Sequence, residues 1–553
     1  MRAVSDNDQS RVLARWIITT GLFSSVFLLL VPVFAAKIPP ILDYPNHYAR
    51  MWLIAGGARI YPISTMYRVV WGNASTNIGI DVVAALLGSI VPSAVISQLV
   101  LFFALALPPL GAACLHRHIF GAPHWWQIAM VLLAWNETIV AGFLNFEIAL
   151  GLALLGAAAD AKLVDCGARI AFAARVLIGA VILLVHPFGL LFYAVLVGAL
   201  GLGSNFQPLM NPRELGRRIG RAAVACIPIV ISLVCLLVIA PRLPGTTTNG
   251  RTWDVVWQGR WLLGHVLMML GPIKTYDLTR DLVFLALLAL PLVISAATRR
   301  IRFHAGLLLA AVVLMILSNF MPIEVAGTWA IEMRIPCMAA LALVVSMRPD
   351  IPFGRHWNWL GLAAALLLAS TKTLWITHVW IERQADVVSV ERALLRVPPG
   401  SVILSMDNEP SREDIALAPL GRFFQQGTQP VYWHYPTLAI VERHAFVPTL
   451  FTAVGKQPIT VLPPWDQIAV SEGILPGVHL IDDPTAAARF PYLKYWRDRF
   501  EFLLVVNADM SDRQGPLPSL PELLLIADEG FAKLYQINRG SRDKAAAASN
   551  GVR

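Results

Sequence analysis

Asp43, His47 and Arg50 place an acid, an imidazole and a guanidinium within eight residues in Ile41-Leu42-Asp43-Tyr44-Pro45-Asn46-His47-Tyr48-Ala49-Arg50. If the segment is helical, positions four and seven apart share a face, so all three groups would point into one pocket. A carboxylate there can serve as general base toward a hydroxyl acceptor, while Arg50 or His47 neutralises a phosphate leaving group. The same residues also suit a plainer role, in which Asp43 caps the helix, Pro45 fills its first turn and Arg50 meets a lipid headgroup.

Two further groups carry the same kind of chemistry. Glu137 in Trp135-Asn136-Glu137-Thr138 is followed by Asn145 and Glu147 in Gly142-Phe143-Leu144-Asn145-Phe146-Glu147. Carboxylates and amides beside apolar runs are costly unless they face a cavity or find partners, so these three, with Glu332, are read as cavity-lining. The structural alternative is that the amides join neighbouring helices. Arg334, in Trp329-Ala330-Ile331-Glu332-Met333-Arg334-Ile335-Pro336, opens a helix and could grip a phosphate bidentately, against an alternative Glu332–Arg334 ion pair. His186, Lys274, Trp433-His434-Tyr435 and Glu442-Arg443-His444 are weaker candidates, the aromatic segment for a sugar acceptor. Scattered cysteines suggest neither a disulfide framework nor a zinc site, and no phosphate-cradling Gly loop or nucleotide signature occurs.

The elements that must position these groups are membrane spans. With 57% hydrophobic and 14% charged residues, the chain cannot form one ordinary soluble core. Trp16 to Ala36 is uncharged over 21 residues, enough to cross a hydrocarbon core of ~30 Å, and reads as an anchor rather than a cleaved signal. Apolar runs checked against flanking arginines give about eleven spans, the third near 125–142 and the tenth near 333–345. The net charge of +9 comes from arginines in short loops, which orient helices and meet anionic lipid, so nucleic acid is disfavoured.

This pattern predicts an α-helical polytopic membrane domain over 1–379, with periplasmic loops 37–80 and 241–281. The first loop reads as an amphipathic surface helix. A periplasmic α/β domain over 380–540 has strands at Ser401–Ser405, Phe502–Val506 and Ala532–Ile537, and 541–553 reads as a disordered tail. The N-terminus is expected in the cytoplasm of a bacterial cell with the chain in its inner membrane.

A hydrophobic first span, an acid in the first outer loop, a surface helix, further spans and an extracytoplasmic α/β tail resemble the GT-C superfamily of polyprenyl-phosphate-sugar-dependent glycosyltransferases. Leu42-Asp43-Tyr44-Pro45-Asn46-His47, Gly142-Phe143-Leu144-Asn145-Phe146, Ala445-Phe446-Val447-Pro448-Thr449-Leu450-Phe451 and Phe502-Leu503-Leu504-Val505-Val506-Asn507 resemble segments of GT-C-like bacterial membrane proteins. The resemblance implies an inverting transfer to a periplasmic glycan, lipid or protein acceptor, with Asp43 as catalytic base and Arg334, Arg50 and His47 on the donor phosphate. Many superfamily members carry two adjacent acids in this loop, often with a divalent metal, whereas Asp43 is followed by Tyr44. The rival readings are a lipid or polysaccharide transporter, and a noncatalytic membrane protein with an outer binding domain.

Overall fold

The computed structural model describes the chain except for residues 1–5, 240–254, 257–261, 326–328, 351–354, 425–428, 471–472, 474 and 539–553. The expected tail at 541–553 and much of the 241–281 loop lie outside the described residues. The chain divides into two units, one of residues 1–35, 75–79 and 99–378, the other of 36–74, 80–98 and 379–553.

The first unit is a helical membrane bundle. Among the described residues, seven helices of the whole chain are long and apolar enough to cross a membrane, with Trp126–Ala141, Pro187–Leu202 and Ala305–Ser318 shorter. Ile331–Ser346 covers the remaining expected run. Each apolar run of the sequence therefore forms helix, but the run near 125–142 is not one continuous span. Its first part ends in the 3₁₀ turn Met130–Ala134, and Glu137–Ala141 begins afresh because the Asn136 Oδ1 accepts from the Ile139 N–H at 2.9 Å. A side-chain cap of this kind offers the backbone an alternative to continuing the helix. Small residues let neighbouring helices close up: a Cβ on Gly151 would lie 2.4 Å from the Leu107 Cβ.

The second unit holds a four-stranded sheet in the order Leu523–Asp528, Ala532–Ile537, Phe502–Val506, Ile403–Asp407. The last two strands run parallel and the other pairs antiparallel. The predicted first strand is shifted to begin at Ile403, and Leu523–Asp528 is an additional edge strand.

Residues 36–74, read in the sequence as a loop of the membrane domain, belong to this sheet-bearing unit. Tyr67–Val69 pairs antiparallel with Ile459–Val461. The helix Tyr44–Ile54 is not an amphipathic surface helix, because Tyr44 to Met51 and Leu53 are all buried. Its polar residues tolerate this by finding partners inside the unit, as the Tyr44 hydroxyl does with Ser97 Oγ at 3.0 Å.

Candidate functional site

Asp43 occupies the residue before the helix Tyr44–Ile54, with Pro45 in the first turn, where its missing N–H costs nothing. The Asp43 side chain nevertheless makes no capping hydrogen bond. Its Oδ1 lies 3.5 Å from His434 Nε2, and the carboxylate retains 17% exposure against 5% for the imidazole. Burial lowers the His434 pKa from 6.5 to about 3, so the ring facing Asp43 is neutral at pH 7.

One turn into the helix, the wholly buried Asn46 ties this end of the chain to the segment 449–451. Its Nδ2 donates to the Thr449 carbonyl at 2.9 Å and its Oδ1 accepts from the Phe451 N–H at 2.9 Å. Asn46 Nδ2 also lies 3.3 Å from His434 Nδ1. The Phe451 ring meets His434 and His47 edge-on, with centroids 4.8 and 6.0 Å apart. Two segments singled out in the sequence, Leu42–His47 and Ala445–Phe451, thus meet around His434.

Arg50 points elsewhere. Its Nε and Nη2 donate to the two carboxylate oxygens of Asp81 at 2.7 and 3.3 Å, and neither side chain has any exposure. A guanidinium committed in this way to a buried carboxylate is a structural group, not a contact for a lipid phosphate. Asp81, a single acid in the apolar stretch Gly79–Leu87, was the signal that a buried cation had to come to it.

In the membrane unit, Arg334 lies in the first turn of Ile331–Ser346, with its Nη1 2.9 Å from His186 Nε2. Its guanidinium carbon sits over the rings of Phe143, Phe146 and Phe188 at 4.2, 5.3 and 5.6 Å from their centres. His186 is held in turn because its Nδ1 caps the helix Pro187–Leu202 by accepting from the Phe188 N–H. Aromatic faces favour a cation through their quadrupole, by about 2 kcal/mol when water is excluded.

The remaining sequence candidates divide by partner. Glu147 accepts from the Thr138 hydroxyl and lines a small cavity with Asn136, Leu133, Pro272 and Cys337. Asn145 donates to the backbone carbonyl and side chain of Asn77 at 2.8 and 3.1 Å, a structural role. Glu137 is 2.8 Å from Lys274 with both side chains buried, so its charge is matched rather than offered to a ligand. A second buried pair, Lys372 with Asp281 at 3.3 Å, holds the same turn, since Lys372 also donates to the Ile273 carbonyl and Asp281 accepts from the Thr275 N–H. Glu332 is buried near the start of its helix. Among the described residues, no three His, Cys, Asp or Glu side chains are grouped to hold a metal ion.

No protein-family model and no curated protein matches the chain. Solved structures of ArnT are among those that resemble it in outline. ArnT from Cupriavidus metallidurans in the apo state has a TM-score of 0.48 and 12% identity, covering 96% of this chain and 99% of that one. ArnT bound to undecaprenyl phosphate has a TM-score of 0.46 and 13% identity, covering 94% and 98%. The chain is thus similar to ArnT along nearly its whole length, at a level too slight to carry over an activity or a site residue.

Proposed function

We propose that this chain is a GT-C-like glycosyltransferase that moves a sugar from a polyprenyl-phosphate donor to a hydroxyl of a periplasmic glycan, lipid or protein at a bacterial inner membrane. The observation that carries this reading is the Asp43 carboxylate, which is not spent on capping its helix, keeps some exposure and faces a neutral imidazole. A base must offer a lone pair to the incoming proton, and the partly exposed Asp43 carboxylate is proposed for that part.

In the proposed step Asp43 takes the acceptor hydroxyl proton as that oxygen attacks the anomeric carbon of the donor. The carbon–oxygen bond to phosphate breaks, its electron pair leaves with polyprenyl phosphate, and the anomeric configuration inverts. The proton ends on Asp43 and is passed to solvent before the next cycle. As a separate assignment within the membrane unit, Arg334 is proposed as a group that contacts the donor phosphate, because a guanidinium offers a fork matched to phosphate oxygens. Arg50 and Glu137 have no part in this reading, since their charges are committed to Asp81 and Lys274. His47, edge-on to Phe451, is assigned to shaping the surroundings of Asp43 rather than to the phosphate.

The test is a reconstitution of the purified protein with labelled polyprenyl-phosphate sugars and membrane-derived acceptors. The expected result is donor consumption with release of polyprenyl phosphate and an inverted glycosidic product. Passage of intact donor across the bilayer would favour the transporter, and donor left unchanged on its own side would favour the noncatalytic protein.

A further inference from the structure

We infer that Asn46 is a positioning residue that sets the tautomer of His434, so that the imidazole donates from Nε2 to Asp43 and the carboxylate, not the imidazole, is the base of this site. The role of Asp43 as base rests on the glycosyltransferase reading above, whereas the tautomer rests on the hydrogen-bond geometry around Asn46 together with the neutrality of the buried ring.

The two ends of an Asn side chain are alike in shape, and their assignment must come from their partners. Here both partners are backbone groups with fixed roles. The Phe451 N–H can only donate, so the atom 2.9 Å away is Oδ1, and the Thr449 carbonyl can only accept, so the atom 2.9 Å from it is Nδ2. Turning the amide over would set N–H against N–H and oxygen against oxygen in a fully buried place, at the cost of two lost hydrogen bonds.

The orientation being fixed, Nδ2 has one hydrogen left. It faces His434 Nδ1 at 3.3 Å, which must therefore be the nitrogen with the lone pair. A neutral imidazole carries one proton, and it is left to Nε2, the atom 3.5 Å from Asp43 Oδ1. The Phe451 ring, edge-on at 4.8 Å, restrains the plane of the imidazole. His434 then has no lone pair to offer an acceptor hydroxyl. Its one basic nitrogen is occupied by Asn46, and its N–H faces the carboxylate and orients it. This gives His434 a different part from the sugar contact that its aromatic neighbours suggest in the sequence.

The experiment is ¹⁵N NMR of the full-length protein, labelled at its 12 histidines and held in lipid nanodiscs, with the His434 signals identified by their loss in His434→Gln. At neutral pH the inference predicts a bare Nδ1 and a protonated Nε2. Asn46→Asp keeps the size of the side chain but turns the donor into an acceptor, so it should bring a proton onto Nδ1 and slow transfer by about tenfold or more, the scale of a misplaced catalytic group. A wild-type His434 protonated at Nδ1, or an Asn46→Asp variant in which Nδ1 stays bare, would overturn the inference. If Asn46→Asp does not accumulate, the wild-type spectrum alone decides the tautomer. The spectrum involves no turnover, so a protein with the expected tautomer but no transfer activity would sink the function proposed above while leaving the hydrogen-bond assignment in place.

Discussion

Asp43 and Glu137 begin as equivalent features, each an acid at the start of a short helix beside apolar sequence, and the structure separates them by what stands opposite. Glu137 is 2% exposed and meets the ammonium of Lys274 at 2.8 Å, while Asp43 is 17% exposed and meets a neutral ring nitrogen at 3.5 Å. A buried carboxylate matched by a full charge is held in a low-energy pair and has little to offer a substrate. One that faces a neutral ring and keeps part of its surface open is not matched by a full charge. The position of an acid in a sequence therefore says less about its use than the charge of its partner does.

The comparison can be broken first at Glu137. Glu137→Ala leaves Lys274 buried without its charge partner, which should cost about 3–5 kcal/mol of stability. Replacing both by apolar residues should restore most of that loss. Thermal unfolding in detergent measures this, and an unaltered midpoint in Glu137→Ala would show that the pair is not the structural latch described here.

Arg334 and Arg50 sharpen it on the side of the cations. Arg334→Ala should weaken donor binding by about 1.5–3 kcal/mol, the worth of a charge-assisted contact, and Arg334→Lys should recover only part of it, because an ammonium cannot reproduce the planar fork. Arg50→Lys should instead lower the midpoint of unfolding and leave the donor affinity of the folded fraction alone. Titration with polyprenyl phosphate distinguishes the two; equal losses of affinity at both positions would contradict the different roles given to them.

The smallest effect concerns pH. The folded pKa of His434 lies below its unfolded value, so the unfolded chain takes up the proton first. The stability due to the neutral ring is present above about pH 6.5 and is lost as pH falls toward about 3, amounting to about 1 kcal/mol by about pH 5.5. Unfolding of His434→Gln followed over the same range should lack that component of the slope, and an identical slope would place the neutral imidazole elsewhere.

Much of the bundle was legible because hydropathy over some twenty residues is a strong signal. The break at Asn136 was not, since a single amide chose a local cap over the helix on either side. The strand Leu523–Asp528 was missed because its Leu-Leu-Leu-Ile run lacks the alternation of a half-exposed strand. Residues 36–74 could not be assigned to the sheet-bearing unit from sequence, because what joins them are partners hundreds of residues away, among them the three-residue ladder to Ile459–Val461 and the bonds of Asn46 to 449–451. Asp43 itself stood out as an acid beside a span, but its surroundings did not: Asn46 and His434 are 388 residues apart, and nothing local to either announces the other. Arg50 illustrates the reverse error, in which helical spacing suggested a shared pocket and an unremarked acid 31 residues on claimed the charge.

The most direct test of the central claim is transfer by Asp43→Asn in reconstituted membranes, with donor binding and unfolding measured on the same preparation. Asn keeps the size of Asp and its ability to cap a helix, so a structural role predicts little change. The account predicts unchanged binding and stability with transfer slowed by about 10²–10⁴-fold, as expected for loss of a positioned base. Wild-type turnover in Asp43→Asn would contradict it.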